Sequence, residues 1–377
     1  MILTNCAACA APLPRPAKQC SRCKTLYCGP ACQRQHWERG GHDALCKKIK
    51  KGGGAEQYHA DKKYKEAVAV AAEACADDTK GQTCYICTQA LHWKTKEGLV
   101  RMCSCRGTAG FAHVSCLAEQ AKILVAEAEE NNLGFEVKIE RWQRWYRCGM
   151  CEQNYHGVVR CALGWACWKT YLGRPEGDLF RCNAMRQLGN GLFEVNHHEE
   201  ALSVREAELS MVRRVGAPED HVLAVQTNLA NSYAKLGKSE QALRMLRDIY
   251  TRTIKLFGEE GQETITAAIN YASDLCIVRR FKKAKSVLLK TMPVARRVLG
   301  EGQEVMLKLR ARYAMALYHD DDATLDDLRE AVGTFEDTAR IARRFLGGEH
   351  PTTRKIEHEL RNARAALRAR ETPPESS

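Results

Sequence analysis

Cysteine and histidine recur in this chain at spacings suited to holding metal ions. Between positions 84 and 151 they come in pairs: Cys84 and Cys87, Cys103 and Cys105, His113 and Cys116, Cys148 and Cys151. A Cys-x-x-Cys turn lets two thiolates converge on one ion at about 2.3 Å, and four pairs supply the eight ligands that two tetrahedral zinc ions require. Residues 6–46 repeat the pattern with Cys6 and Cys9, Cys20 and Cys23, Cys28 and Cys32, and His42 and Cys46. The competing explanation, thiols and imidazoles merely buried in a core, does not account for such spacing. Neither segment has enough apolar residues for a core of its own, so metal binding is expected to fold both. Each structural zinc contributes on the order of 10 kcal/mol at neutral pH.

The runs Cys-Arg-Gly-Thr at 105–108 and His-Val-Ser-Cys-Leu at 113–117 make residues 84–151 resemble the RING-CH variant of the RING finger. The resemblance implies interleaved ligation, with one zinc on Cys84, Cys87, His113 and Cys116 and another on Cys103, Cys105, Cys148 and Cys151. Tyr-Cys-Gly-Pro-Ala-Cys-Gln-Arg-Gln-His-Trp at 27–37, followed by His42 and Cys46, resembles a MYND finger. That family implies zinc on Cys6, Cys9, Cys28 and Cys32, and on Cys20, Cys23, His42 and Cys46. Nine residues separate Cys32 from His42, two more than the usual family spacing, and Gly40 and Gly41 are placed to absorb them. His36 is the competing imidazole; its place beside Trp37 matches the family's non-ligand His-Trp pair and favours His42.

Four zinc ions account for fourteen of the nineteen cysteines. The other five, Cys75, Cys161, Cys167, Cys182 and Cys276, fall in stretches that read as helical, where a thiol serves as a small apolar residue. None sits in a motif that would activate a nucleophile, so no catalytic residue is assigned. The N-terminal Met-Ile-Leu-Thr-Asn-Cys has no basic region followed by an apolar run, and reduced thiols in cytosol or nucleus are the expectation. Val158 to Leu172, the most apolar run, contains Arg160 and Lys169 and is too short to span a bilayer. The formal charge of +12 is spread over helical faces without interleaved aromatics, which argues against direct nucleic-acid binding.

The elements that must position these groups follow from the same sequence. Residues 47–83 read as a connector: four lysines and three glycines between 47 and 54, then an alanine-rich helix that either spaces the fingers or packs on one. Apolar residues at helical spacing over 117–130 put a helix in the 31-residue stretch between Cys116 and Cys148. Trp142, Trp145 and Tyr146, just before the last pair, are expected to pack on the zinc core.

From 178 to 370 the chain repeats. Leu-Gly-Asn-Gly-Leu at 188 returns as Leu-Ala-Asn-Ser-Tyr at 229, and Glu-Glu-Ala-Leu at 199 as Glu-Gln-Ala-Leu at 240. A 42-residue register then links Ala230, Ala272 and Ala314, Ala242 and Ala284, and Gly258 and Gly300. Gly347 falls five residues late, after an insertion around Asp320 to Asp322. Small residues at fixed places in paired helices, with glycine ending the second, describe helix hairpins that stack into a solenoid. Leu-Phe-Gly-Glu at 256, Val-Leu-Gly-Glu at 298 and Leu-Gly-Gly-Glu-His-Pro-Thr-Thr at 346–353 resemble the tetratricopeptide repeats of kinesin light chains. The expected fold is mainly α, two small zinc modules followed by an α-solenoid, with a disordered tail over 371–377.

What these resemblances imply is a RING-type ubiquitin ligase. Such a module has no nucleophile; it holds a ubiquitin-charged conjugating enzyme, and positioning is its chemistry. Ile86, between the first two ligand cysteines, matches the exposed apolar residue RING families use against that enzyme. The repeat groove would select substrate and the MYND finger would add a peptide contact. The rival is a non-catalytic scaffold that gathers protein partners. A protein methyltransferase finds no support, because no SET motif is recognisable.

Overall fold

The computed structural model describes residues 6–11, 13, 14 and 16–371; the tail expected to be disordered lies, from 372 on, outside the described residues. Among them are fifteen α-helices and one two-stranded antiparallel sheet, β1 (Lys18–Gln19) and β2 (Leu26–Tyr27). The chain is mainly α, as the sequence indicates. It divides into two compact units between Ala217 and Pro218.

The first unit opens with the small sheet and two short helices, α1 (Pro30–Glu38) and α2 (His42–Lys51), around a core of Cys6, Cys20, Cys23, Tyr27, Cys46 and Ile49. Thiols make up most of that core, so packing alone cannot hold it. α3 (Ala55–Ala74) then runs away from this module. Its alanine-rich face lies along α6 (Gly157–Tyr171), so the connector is packed rather than a free spacer. Val68, Ala71 and Cys75 join Cys84, Cys116 and Cys148 in one apolar cluster that Val159, Ala162 and Leu163 of α6 complete. The second cysteine-rich module thus completes its core of Leu99, Val100, Phe111, Val114 and Leu117 with side chains from two helices outside it.

The stretch between Cys116 and Cys148 forms α4 (Val114–Glu130) and α5 (Phe135–Trp142), followed by a short 3-10 turn (Gln143–Trp145). The aromatics carried by this stretch depart from expectation. Trp142 stacks on Phe180 at 5.1 Å and lies 5.1 Å from Tyr171, while the Trp145 indole N–H donates to the Tyr171 hydroxyl at 3.4 Å. They build a helical core with α6 and α7 (Leu179–Glu194), away from the zinc ligands. The physical reason is that α4 and α5 carry the aromatics toward the long apolar surface of α6, where their large area is buried more fully. α8 (His198–Arg214) pairs with α7 and closes this unit.

The second unit consists of α9 (Glu219–Lys235), α10 (Ser239–Phe257), α11 (Gln262–Ile277), α12 (Phe281–Leu299), α13 (Glu304–Tyr318), α14 (Leu325–Phe345) and α15 (Pro351–Glu371). Each helix packs on the next, and α9, α11, α13 and α15 also touch in succession, which is the contact pattern of an α-solenoid. The small residues of the 42-residue register sit at these contacts: Ala230, Ala242, Ala272, Ala284 and Ala314 are all fully buried. Gly258 and Gly300 end α10 and α12 with φ of 73° and 76°, a conformation that costs a residue with Cβ far more.

Candidate metal centres

Four groups of cysteine and histidine form among the described residues, and in each the four candidate ligand atoms lie within 4.8 Å of one another. The first is Cys6, Cys9, Cys28 and Cys32; the second Cys20, Cys23, His42 and Cys46; the third Cys84, Cys87, His113 and Cys116; the fourth Cys103, Cys105, Cys148 and Cys151. The interleaving follows from local structure. In the first module, the turns after Cys6 and Cys20 each present two thiols, and helices α1 and α2 bring the remaining pairs across the small sheet. In the second, His113 is the N-cap of α4 and Cys116 lies in its first turn, so one helix end delivers both. The pair Cys148 and Cys151 returns after α4 and α5 to face Cys103 and Cys105.

The separations fit zinc. Tetrahedral coordination with Zn–S of about 2.3 Å puts sulfurs roughly 3.8 Å apart, and an imidazole nitrogen roughly 3.6 Å from a sulfur. The structure gives 3.7 Å for Cys9 to Cys28, 3.9 Å for Cys20 to Cys46 and 3.7 Å for Cys105 to Cys148. His42 Nε2 lies 3.4 Å from Cys23 Sγ, and His113 Nδ1 lies 3.3 Å and 3.6 Å from Cys87 and Cys116. All nineteen cysteines are free thiols, and burial lowers the pKa of both His42 and His113, favouring the neutral imidazole that a metal needs. Backbone N–H groups of Ile86 and Met150 point at the sulfurs of Cys84 and Cys148, both at 3.4 Å, as expected around thiolates.

The two histidines present different faces. His113 turns Nδ1 to the thiols and its Nε2 lies 3.3 Å from the Ala90 carbonyl oxygen, the kind of outer contact that fixes a ligand's tautomer. His42 turns Nε2 inward. His36 stays outside the second group because its Nδ1 lies 3.1 Å from the Tyr27 hydroxyl, while its ring packs 5.1 Å from that of His42. Gly40 and Gly41 make this arrangement possible: Gly41 takes φ of 69°, and a Cβ on Gly40 would lie 2.9 Å from the His36 carbonyl oxygen.

Several residues around the centres carried no signal in spacing. Gly110, at φ of 83°, packs on the fourth group, where a Cβ would come within 2.8 Å of Cys105 Sγ. Glu97 accepts from the Ser115 N–H at 2.7 Å and its hydroxyl at 2.8 Å, holding the start of α4. Ile86 is half-buried at the tip of its turn, and Met150, at the equivalent place between Cys148 and Cys151, is exposed. Only the repetition of the Cys-x-x-Cys turn could have pointed to Met150.

Comparison with known proteins matches residues 6–46 to the MYND finger, 84–132 to the RING-variant domain and 222–263 to the tetratricopeptide repeat. The RING-variant match stops before Cys148 and Cys151, which the structure returns to the fourth group. No curated protein matches. Among solved structures, one similar chain is a variant of nearly identical TPR-like repeats from a kinesin light chain candidate of Podosopora anserina, 20% identical, covering 51% of this chain and 88% of that one at TM-score 0.42. Another is BtubC (BKLC) from P. vanneervenii, 14% identical over 70% of this chain and 96% of its own, TM-score 0.36. A third is a Rap protein complexed with competence and sporulation factor, 16% identical over 68% and 72%, TM-score 0.39. With its sequence matches and the geometry of its four centres, the chain combines a MYND finger, a RING-variant zinc finger and tetratricopeptide repeats.

Proposed function

We propose that this zinc-binding interaction protein is a RING-type ubiquitin ligase that presents a conjugating enzyme to substrates held by its helical repeats. The sixteen residues of the four groups are its proposed zinc ligands. Residues 6–46, 84–151 and 178–370 are its proposed MYND, RING-CH and repeat regions, joined by a connector over 47–83.

The observation that supports this reading is the pair of turns at Cys84–Cys87 and Cys148–Cys151. Each turn directs a backbone N–H at its own first thiolate and carries an apolar residue at its tip, Ile86 and Met150. Tyr85, beside Ile86, lies near the second turn, since its hydroxyl is 4.0 Å from where a Cβ on Gly149 would stand. Two metal-braced apolar tips form a rigid docking surface, which is what transfer by positioning needs. Zinc would supply the bracing and no step of the transfer.

A covalent route through a cysteine of this chain has no support. Burial raises the thiol pKa of Cys75, Cys161, Cys167, Cys182 and Cys276, to about 12 for Cys161 and about 11 for Cys276, so none is activated. The alternative is a scaffold that gathers partners without transferring ubiquitin. No helix among the described residues is long and apolar enough to cross a membrane.

The test is ubiquitin transfer by zinc-replete protein with a panel of conjugating enzymes, beside Ile86→Ala and Cys84→Ser. Chain formation lost in both variants, with Ile86→Ala still folded and carrying four zinc ions, supports the ligase. Silence across the panel with zinc content intact favours the scaffold.

A further inference from the structure

α3 touches a metal centre at each end. At its start, the Ala55 N–H donates to the Cys23 carbonyl oxygen at 3.0 Å, and Gly54 takes φ of 99° to bring the chain there. Ala55 is 2% exposed and belongs to the core that contains Cys20, Cys23 and Cys46. The first turn of α3 is therefore built on the second centre.

Midway along, α3 meets the third centre. The Tyr64 hydroxyl lies 3.0 Å from Ser115 Oγ, and Ser115 Oγ donates onward to Glu97 at 2.8 Å. A serine hydroxyl has one proton, so Tyr64 is the donor to Ser115. Glu97 also accepts from the Ser115 N–H at 2.7 Å and from the Thr95 hydroxyl at 3.0 Å. A carboxylate on the first turn of α4 complements the helix dipole and fixes the segment that carries His113 and Cys116. Thr95 in turn reaches His92 Nδ1 at 2.8 Å, and the His92 ring lies 5.3 Å from that of His113.

Between these ends α3 cannot slide freely. Asp61 pairs with Lys169 of α6 at 2.8 Å, and the Lys169 ammonium sits 4.5 Å over the Tyr64 ring. Ala60 is buried in the aromatic core, while Val68 and Ala71 are buried in the cluster that holds Cys84 and Cys116. α3 is thus held at its start, middle and end by contacts to both modules and to α6.

We propose that α3 couples metal binding at the second centre to metal binding at the third, with Tyr64 and Glu97 as the positioning residues at the receiving end. Loss of metal from Cys20, Cys23, His42 and Cys46 frees the Cys23 carbonyl, loosens the start of α3 and releases the Tyr64–Ser115–Glu97 chain that holds α4. Linkage makes the effect reciprocal: metal at the third centre tightens metal at the second. The fingers then load and empty together. This holds whether or not the protein transfers ubiquitin.

The experiment follows metal release from the full-length, zinc-loaded chain into excess chromogenic chelator. Tyr64→Phe removes one hydroxyl, and Glu97→Gln keeps the shape while weakening the cap. Each is expected to speed release from the third centre by about tenfold, in line with outer-contact losses at other metal sites. Cys46→Ser disables the second centre, and the remaining release should then quicken by a similar factor in wild type and hardly at all in a Tyr64→Phe background. Native mass spectrometry reports how many ions each chain retains, and separate Cys84→Ser and Cys103→Ser variants assign the release phases. Release unchanged within twofold in Tyr64→Phe and Glu97→Gln overturns the positioning roles. Equal quickening by Cys46→Ser in both backgrounds overturns the coupling through Tyr64.

Discussion

Gly191 of α7 lies against Cys161 of α6 so closely that a Cβ added to it would stand 2.8 Å from the Cys161 Cα and 2.9 Å from the Arg160 carbonyl oxygen. The contact is returned by Gly164 of α6, whose added Cβ would meet the Gln187 carbonyl oxygen at 2.9 Å. Two helices cross here backbone to backbone, and neither neighbour is a flexible side-chain tip that could move aside. Gly191→Ala is therefore expected to destabilise the first unit by about 2–3 kcal/mol through overpacking. Gly173→Ala is the control, because nothing lies within 4 Å of its added Cβ. Urea unfolding followed by tryptophan fluorescence reads this directly, since Trp142, Trp145, Trp165 and Trp168 share the affected core. Coincident midpoints for the two variants would contradict it.

Glu208 is fully buried, with Arg186 Nε at 3.3 Å and Arg205, itself 3% exposed, close by. Burial pushes its carboxyl pKa up while the two arginines oppose the shift. Removing the carboxylate leaves the buried Arg205 and the partly buried Arg186 without their anion, so Glu208→Ala should cost about 3 kcal/mol. The exposed pair Arg340 and Asp337 offers a contrast, and Asp337→Ala should cost less than about 1 kcal/mol. Thermal melts of both variants test the difference.

Zinc removal should act unevenly. The core of the first cysteine-rich module is made largely of thiols and that of the second is interleaved with its candidate ligands Cys84, Cys116 and Cys148, whereas the solenoid core of α9 to α15 is built from Leu, Ile, Ala, Phe and Tyr. Strong chelator is expected to expose residues 6–46 and 84–151 to protease while the fragment from 218 onward stays resistant and helical by circular dichroism. Protease resistance retained throughout the N-terminal half would refute the zinc-dependent fold.

Asp274 of α11 should make the second unit sensitive to pH. Burial raises its pKa from 3.8 to about 6, only partly offset by Arg312, and Oδ2 has no hydrogen-bond partner among the described residues. The folded state keeps this proton up to about pH 6, whereas the unfolded chain releases it near pH 4. The associated stability is complete below pH 4 and is lost as pH rises toward and through 6, by roughly 2–3 kcal/mol. Asp274→Asn should flatten the pH dependence between 4 and 7 and raise the melting temperature at pH 7.5. A variant whose stability falls in parallel with wild type over that interval would count against the assignment.

The sequence by itself determined which residues offer metal ligands, because ligand chemistry demands thiols and imidazoles in pairs and the turns that present them are local; which pairs share an ion was implied by the resemblance to the two finger families, and the fold brings those distant pairs together. It also determined the helix hairpins, since a 42-residue repetition of alanine and glycine leaves a periodic trace. Tertiary structure decided what has no local trace. Whether α3 spaced the fingers or packed on one depended on the surface of α6, about a hundred residues later. Trp142 and Trp145 were legible as core residues, but their partners Tyr171 and Phe180 were set by where α5 delivers them. The choice of His42 over His36 became physical once Tyr27 was seen beside His36 Nδ1. Glu97, Tyr64 and Ser115 lie far apart in the chain and have no motif; only the fold makes them neighbours, because a hydrogen bond depends on distance in space and leaves no spacing rule behind.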